Sequence, residues 1–151
     1  MKNIGRLVSI LHRQSQIYMN FALRDFDISS AEYAFLMCLY RTDGLTQEEL
    51  SSYLYIDKSA THRAIKSLEE KGYVRRVKDR ADKRYNRVYL SDKAKTYKDE
   101  IRQRVWRWSE FLQEDLETET IETVLAVLEK MVARVEKTDL KSIGVSLIDC
   151  K

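Results

Sequence analysis

The stretch that decides the fold reads DKSATHRAIKSLEEKGYVRRVKDRADKRYNRVYL and covers residues Asp57–Leu90. Its first residue, an aspartate, can cap a helix, and a helix is predicted over Lys58–Lys71 because apolar residues recur there every three or four positions. Gly72 is suited to end this helix, since helices commonly stop at a residue with left-handed backbone geometry. Two short strands are predicted next, at Tyr73–Lys78 and Asn86–Leu90, with a charged loop between them.

Positive charge is concentrated in this stretch. It holds eleven Lys and Arg residues against five Asp and Glu, an excess of six, whereas the whole chain of 151 residues has a net charge of +3. A run of charge alone is more often a solvated helix face. Here it coincides with a helix, a glycine stop and a charged hairpin, and this combination indicates a surface for the phosphates of nucleic acid.

Capped helices are also predicted before the basic helix. The sequence TQEE, beginning at Thr46, predicts a capping box that starts a short helix ending near Leu54. Two short helices joined by a tight turn, the second of them basic, indicate a helix-turn-helix, and the hairpin adds a wing. Further upstream, Ser29 and Glu32 predict another capping box, which opens a helix that stops at Gly44.

The predicted helices at the two ends of the chain each carry an apolar stripe. They cover about residues 3–24, 91–117 and 119–137. Because one chain of this size cannot easily hide these faces, we expect a homodimer; the alternative is a monomer in which the helices pack on the winged unit. The predicted fold class is therefore mainly α with a small β-hairpin wing. An N-terminal dimerisation helix is predicted in residues 1–28, a winged helix-turn-helix DNA-binding domain in 29–90, and C-terminal dimerisation helices with a tail in 91–151.

Composition narrows the functional classes. No stretch resembles a secretion signal or approaches transmembrane length, so a cytoplasmic protein without a membrane partner is expected. The two cysteines have no metal or redox spacing. Cys38 lies in an apolar helix and is expected to be a buried, inert thiol, with a sensor thiol as the alternative, and Cys150 is expected to be exposed. No catalytic group, metal site or cofactor is predicted, and an enzyme is not expected.

These residues resemble the MarR (multiple antibiotic resistance regulator) family of transcription factors. The resemblance covers about residues 3–137, and its most specific parts are the helix end LEEKGYVRR, from Leu68 to Arg76, and the wing DRADKR, from Asp79 to Arg84. It implies a homodimeric winged-helix protein that binds double-stranded DNA. Members commonly repress nearby genes and are often released from DNA by a small molecule.

The resemblance also assigns roles to single residues. Arg84 matches the wing arginine that enters the minor groove, and Asp82 matches the carboxylate that orients it. His62 stands where many members carry threonine, which affects the preferred base pairs. The predicted DNA-binding residues are Lys58, Ser59, Thr61, His62, Arg63, Lys66, Arg80, Asp82, Lys83, Arg84 and Arg87. The alternative function is a winged-helix interaction protein that binds RNA or an acidic protein partner.

An effector site is predicted on the first helix, where polar residues interrupt the apolar stripe. Because the resemblance implies ligands that lodge between the dimer helices and the winged unit, we expect His12, Arg13 and Gln16, with Tyr33 from the second helix, to line a mostly apolar pocket with a few polar groups. Such a pocket suits a small aromatic, anionic compound. The alternative is that His12 and Gln16 form hydrogen bonds across the dimer or face solvent.

Overall fold

The computed structural model describes residues 2–145 and is mainly helical with one small sheet. The helices are α1 (Ile4–Ala22), α2 (Tyr33–Arg41), α3 (Gln47–Leu54), α4 (Lys58–Glu70), α5 (Asp92–Thr96), α6 (Lys98–Gln113), α7 (Thr118–Glu136) and α8 (Leu140–Val145), and the strands are β1 (Leu45–Thr46), β2 (Val74–Lys78) and β3 (Asn86–Leu90). The chain divides into two compact units, with the boundary between Ser109 and Glu110. The mainly helical winged fold predicted from the sequence is confirmed, and a functional division at residues 28 and 90 stays a prediction.

The helix-turn-helix forms as the local sequence dictates. Thr46 and Glu49 make the reciprocal hydrogen bonds of a capping box at the start of α3. Tyr55 ends α3 with a left-handed backbone, and Asp57 then caps α4 by accepting a hydrogen bond from the Ala60 amide at 2.7 Å. Gly72, at a φ of 82°, follows α4 and leads into the wing.

The wing belongs to a three-stranded antiparallel sheet in the order β1-β3-β2. The hairpin of β2 and β3 was predicted, whereas β1, which pairs Leu45 with Val88, was not. Gly44 enters β1 at a φ of 76°, and a Cβ at this position would lie 2.9 Å from the Tyr89 ring. Glycine is therefore needed at position 44 for the pairing of β1 with β3. It does not end α2, because that helix already stops at Arg41.

The core of the first unit lies between the helix-turn-helix, α2 and the sheet. Leu36, Leu50, Ile65 and Val88 have no measurable exposure, and Ile101 of α6 is equally buried. Further buried side chains include Leu23, Phe35, Leu39, Leu68 and Tyr73. Since the two helices of the motif and the wing share one core, the basic surfaces of α4 and the wing are held in a fixed relation.

The predicted capping box at Ser29 and Glu32 is wrong. The Ser29 hydroxyl donates to the Glu32 carboxylate at 2.7 Å, and no side chain caps α2, which begins only at Tyr33. Glu32 is 5% exposed and accepts two hydrogen bonds from Lys71 Nζ, at 2.9 and 3.1 Å. The carboxylate thus binds a lysine at the end of α4 instead of a backbone amide of its own helix.

The long helix predicted after the hairpin is interrupted. The chain forms α5, breaks at Tyr97 and resumes as α6, which ends at Gln113 and not near Glu117. The Tyr97 ring packs edge-on against Phe26, with 5.3 Å between the ring centroids. Tertiary packing at this residue outweighs the continuous helical periodicity of the sequence. The first helix also ends earlier than predicted, at Ala22, and a single 3-10 turn follows at Arg24–Phe26.

Apolar stripes are exposed in both units. On α1, Ile4, Leu7 and Leu11 are 47–57% exposed. In the second unit no residue of α7 is buried, and Leu125 and Leu128 are each about half exposed. None of the helices within residues 2–145 combines the length and apolarity needed to cross a membrane.

The cysteine predictions have different outcomes. Cys38 is buried as predicted, and burial raises the pKa of its thiol, with Arg41 opposing the shift. Cys150 and most of the tail lie outside the described residues.

Candidate nucleic-acid interface

One side of α4 is buried and the other is open. Ala64, Ile65 and Leu68 point into the core, so the helix lies firmly on the rest of the motif. The residues that remain exposed along α4 include five of the predicted DNA-binding residues, Lys58, Ser59, His62, Arg63 and Lys66. These side chains provide hydroxyl, imidazole, ammonium and guanidinium groups, which suit base edges and phosphates.

Thr61 was predicted on this open face, and the structure shows that this is wrong. Its side chain is 1% exposed, and its hydroxyl donates to the Asp57 carbonyl oxygen at 2.9 Å. A threonine inside a helix commonly satisfies its hydroxyl in this way by bonding one turn back. The hydroxyl is therefore used within the helix, while the methyl group adds to the core.

The tip of the wing holds an arginine in a fixed orientation. Asp82 accepts hydrogen bonds from Arg84 Nε at 3.0 and 3.1 Å and from Nη2 at 2.6 Å. The Arg84 side chain nevertheless remains 82% exposed. The guanidinium lowers the pKa of the Asp82 carboxyl, so the pair stays charged well below neutral pH. The structure thus provides an oriented, exposed guanidinium, while Arg80 and Lys83 are exposed on the same loop.

Arg87, another predicted DNA-binding residue, is turned toward the base of the wing. Its Nε donates to Asp79 at 2.6 Å, and its Nη1 donates to the Gly44 carbonyl oxygen at 2.8 Å. The Asp79 carboxylate also accepts the Asp82 amide at 3.1 Å. Hydrogen bonding to Arg87 lowers the pKa of the Asp79 carboxyl. Arg87 therefore ties the wing loop to the entrance of β1, and contact with DNA remains only a prediction for it.

A groove between the wing and the starts of α3 and α4 holds an acid that sequence reasoning missed. This groove has a volume of about 190 Å³, and its lining includes Lys58, Arg84 and Glu48. Lys58 Nζ donates to Glu48 Oε1 at 3.0 Å, and the lysine side chain remains 81% exposed. The partners are ten residues apart on different helices, so no helical spacing rule connects them.

A larger cavity lies within the first unit, behind the helix-turn-helix. Its volume is about 430 Å³, and its mostly apolar lining comes from α1, α2, α3 and α6. The lining includes Met19, Tyr33, Met37, Arg41, Tyr53 and Trp108. Arg41 Nη1 donates to the Tyr53 hydroxyl at 2.6 Å, which links α2 to α3.

Only one of the predicted effector residues lines this cavity. Tyr33 does so, whereas His12, Arg13 and Gln16 are exposed on α1 and are not among the lining residues. The first helix contributes Met19 instead, which lies further along α1 than all three. Within residues 2–145 there is also no cluster of three His, Cys, Asp or Glu residues able to hold a metal ion.

Comparison with known proteins agrees with this geometry. A family model described as "MarR family" matches residues 26–84, which cover the helix-turn-helix and most of the wing. The Bacillus subtilis regulator YwoH, an uncharacterized helix-turn-helix transcriptional regulator, is 34% identical over 100 residues, covering 66% of this chain and 72% of that protein. A second B. subtilis regulator, YybA, is 25% identical over 137 residues, which is 91% of each chain.

Solved structures extend the similarity over nearly the whole chain. A MarR transcriptional regulator from Methanosarcina mazei Go1 has a TM-score of 0.84 and 38% identity, covering 89% of this chain and 96% of that one. A mutant MarR from E. coli complexed with operator DNA has a TM-score of 0.75 and 26% identity, covering 85% and 92%. The chain belongs to the MarR family, whose members are DNA-binding transcriptional regulators and not enzymes.

Proposed function

We propose that this chain is a ligand-responsive repressor that binds an inverted repeat in double-stranded DNA as a homodimer. The observation that carries the proposal is the exposed, oriented guanidinium of Arg84 on a hairpin beside the open face of α4. Helices of this kind enter the major groove, where hydroxyl, imidazole and amino groups meet base edges. A narrow minor groove has a strongly negative potential that attracts arginine, so the wing suits the adjacent A·T-rich minor groove.

The direct test is footprinting on the DNA upstream of the chain's own gene, followed by fluorescence anisotropy with the protected duplex. Arg84→Ala is expected to weaken binding by about 1–3 kcal/mol, the range for an arginine that reads DNA. Arg102→Ala, which removes an exposed arginine from α6, is the matched control and is expected to bind normally. Equal losses in the two variants would contradict the wing assignment. Binding of RNA or an acidic protein in preference to any duplex would favour the alternative function.

The proposed homodimer rests on the exposed apolar stripes of α1 and α7. Contiguous exposed apolar surface of this kind usually marks an interface, and a second copy of the chain offers the same stripes. A twofold dimer presents two α4 helices to one side of the duplex, so the half-site centres are expected about 10 base pairs apart.

Light scattering tests the dimer. Leu128→Asp places a charge within the apolar stripe of α7 and is expected to give monomers with weak DNA binding. Lys130→Asp introduces the same carboxylate on roughly the opposite face of α7, and as the control it is expected to remain dimeric. A wild-type mass of one chain at micromolar concentration would overturn the dimer.

The proposed effector is a small aromatic anion bound in the cavity of about 430 Å³. Its apolar lining and the aromatic ring of Trp108 suit a ring, and Arg41 provides the positive group that His12 and Arg13 do not. A carboxylate that binds Arg41 competes with the Tyr53 hydroxyl for the guanidinium. Because Tyr53 lies on α3, the first helix of the DNA-binding motif, this competition connects the cavity to DNA affinity.

Calorimetry with a panel of aromatic carboxylates and phenols tests the effector, and anisotropy with the operator tests its consequence. A compound that binds is expected to weaken DNA binding, and Arg41→Gln is expected to reduce its affinity at least tenfold. Arg13→Gln removes the same charge from an exposed position outside the cavity and is expected to change nothing. Affinity lost in Arg13→Gln and kept in Arg41→Gln would overturn the assignment of the cavity.

A further inference from the structure

An acidic residue shares a groove with two cations of the surface that faces DNA in the proposed function. Glu48 is the second residue of α3, where the N-terminal end of a helix stabilises a carboxylate. Its side chain is 47% exposed and lies in the groove between the starts of α3 and α4 and the wing. The other charged residues of this groove are Lys58 and Arg84. The carboxylate therefore lies in the same groove as two of the cations that a DNA strand would approach.

The contact with Lys58 determines what this carboxylate does. Lys58 Nζ donates to Glu48 Oε1 at 3.0 Å, and the hydrogen bond and charge of Glu48 raise the pKa of Lys58. The pKa of Arg84 is raised mainly by its hydrogen bond to Asp82, and the charge of Glu48 makes a smaller contribution in the same direction. No other ion pair of Lys58 with a residue in 2–145 is seen, although its side chain is 81% exposed. Without Glu48, Lys58 is an unpaired cation at the start of α4.

We propose that Glu48 is a specificity-determining residue that limits sequence-independent DNA binding by holding Lys58 in an ion pair and placing a negative charge in the groove between α4 and the wing. The inference rests on the proposed function, because it assumes that this groove receives the phosphate backbone. Non-specific binding depends almost entirely on cations that neutralise phosphates. While Lys58 is paired with Glu48, it adds little to non-specific binding. DNA binding then depends more on the α4 contacts that read bases.

The expected effect of Glu48→Gln on DNA affinity can be calculated from counterion release. Affinity for duplex DNA varies with salt to the power of about −0.9 for each neutralised phosphate. Glu48→Gln frees Lys58 for one such contact per bound subunit, so the slope of log affinity against log salt is expected to steepen by about 0.9 per subunit. At 0.1 M monovalent salt this corresponds to roughly eightfold tighter binding per subunit.

The experiment measures anisotropy of a labelled random-sequence 24-base-pair duplex from low to moderate salt. The proteins are the wild type, Glu48→Gln, Lys58→Met and the double variant, with circular dichroism to confirm that each is folded. Lys58→Met completes the double-mutant cycle, and it is not expected to show the gain of Glu48→Gln because it provides no free cation. The double variant is expected to lose most of the gain of Glu48→Gln. Asp99→Asn removes one negative charge from an exposed position on α6 and is the control, with no gain expected.

Three results would contradict the role proposed for Glu48. If the wild type and Glu48→Gln bind the random duplex with the same affinity and the same salt slope, this inference is overturned. The proposed function is then left intact. A gain that persists fully in the double variant would show that Glu48 does not act through Lys58, and would also overturn it. A wild type that binds no duplex at any salt would overturn the proposed function and this inference with it.

Discussion

Lys71→Met is expected to destabilise the protein more than any loss of an exposed charge, because it leaves a buried carboxylate without its cation. Glu32 is 5% exposed, and both of its oxygens accept hydrogen bonds from Lys71 Nζ. Removal of one partner from a buried ion pair costs about 3–5 kcal/mol. Lys71 is 24% exposed and the Ser29 hydroxyl still donates to Glu32 after the change, so we expect a lower cost of about 2–3 kcal/mol.

Urea denaturation at one fixed protein concentration measures this free energy of unfolding, since a dimer's stability depends on concentration. The double variant Lys71→Met with Glu32→Gln removes both charges and is expected to recover about 1–2 kcal/mol of the loss, as expected for coupled partners. Lys95→Met, an exposed lysine on α5, is the control and is expected to change stability by less than about 0.5 kcal/mol. If Lys71→Met behaves like Lys95→Met, or if the two changes in the double variant simply add, the pair does not hold α4 in place.

Three further outcomes follow from individual sites. Gly44→Ala is expected to lower the melting temperature, because its φ of 76° strains any side chain and the new Cβ meets the Tyr89 ring at 2.9 Å. Gly144→Ala, in helix α8 with nothing within 4 Å, is the control and is expected not to lower it, because alanine is favoured over glycine in a helix. Alkylation of Cys38, followed by mass mapping of its peptide, is expected to be slow at pH 7.5 in the native protein and fast in urea, because burial raises the thiol pKa and blocks access. The hydrogen bond from Arg87 lowers the pKa of Asp79, so this pairing stabilises the wing above the ordinary carboxyl pKa of 3.8 and is lost as the pH falls through the lower folded value. The protection of the wing amides against exchange, relative to the intrinsic rate at each pH, is therefore expected to fall only below about pH 4. Unchanged exchange in an Asp79→Asn variant at neutral pH would contradict that role.

The features predicted correctly from the sequence depend on residues close together in the chain. Asp57 caps α4 three residues ahead of the amide that it binds, and Thr46 and Glu49 close their capping box over the same distance. Gly72 adopts the left-handed backbone that a helix end requires. Asp82 and Arg84, two residues apart, form the pair that the family resemblance implied. In each case the partner lies within one turn, so the local sequence determines the contact.

The features that were predicted wrongly depend on distant partners. Ser29 and Glu32 have the spacing of a capping box, yet Lys71, 39 residues away from Glu32, takes the carboxylate. Tyr97 continues the helical pattern of its neighbours, but its packing against Phe26 interrupts the helix. Thr61 differs in part, because its hydroxyl bonds the Asp57 carbonyl one turn back, but the burial of its side chain, at 1% exposure, depends on packing against distant parts of the chain. Local patterns contain no information on such contacts.

Contacts that the sequence does not reveal also limit what its net charge says about DNA binding. The sequence counts eleven cations in Asp57–Leu90, but the structure pairs several of them with carboxylates. The paired cations are Lys58, Lys71, Arg76, Arg84 and Arg87. Arg63, Lys66, Arg80 and Lys83 form no ion pair with another residue in 2–145 and are exposed. A paired cation must leave its carboxylate before it neutralises a phosphate. If this surface binds DNA as proposed, it therefore does so with fewer free charges than its sequence suggests, and we expect contacts from α4 and the wing to have a correspondingly larger part in selecting the site.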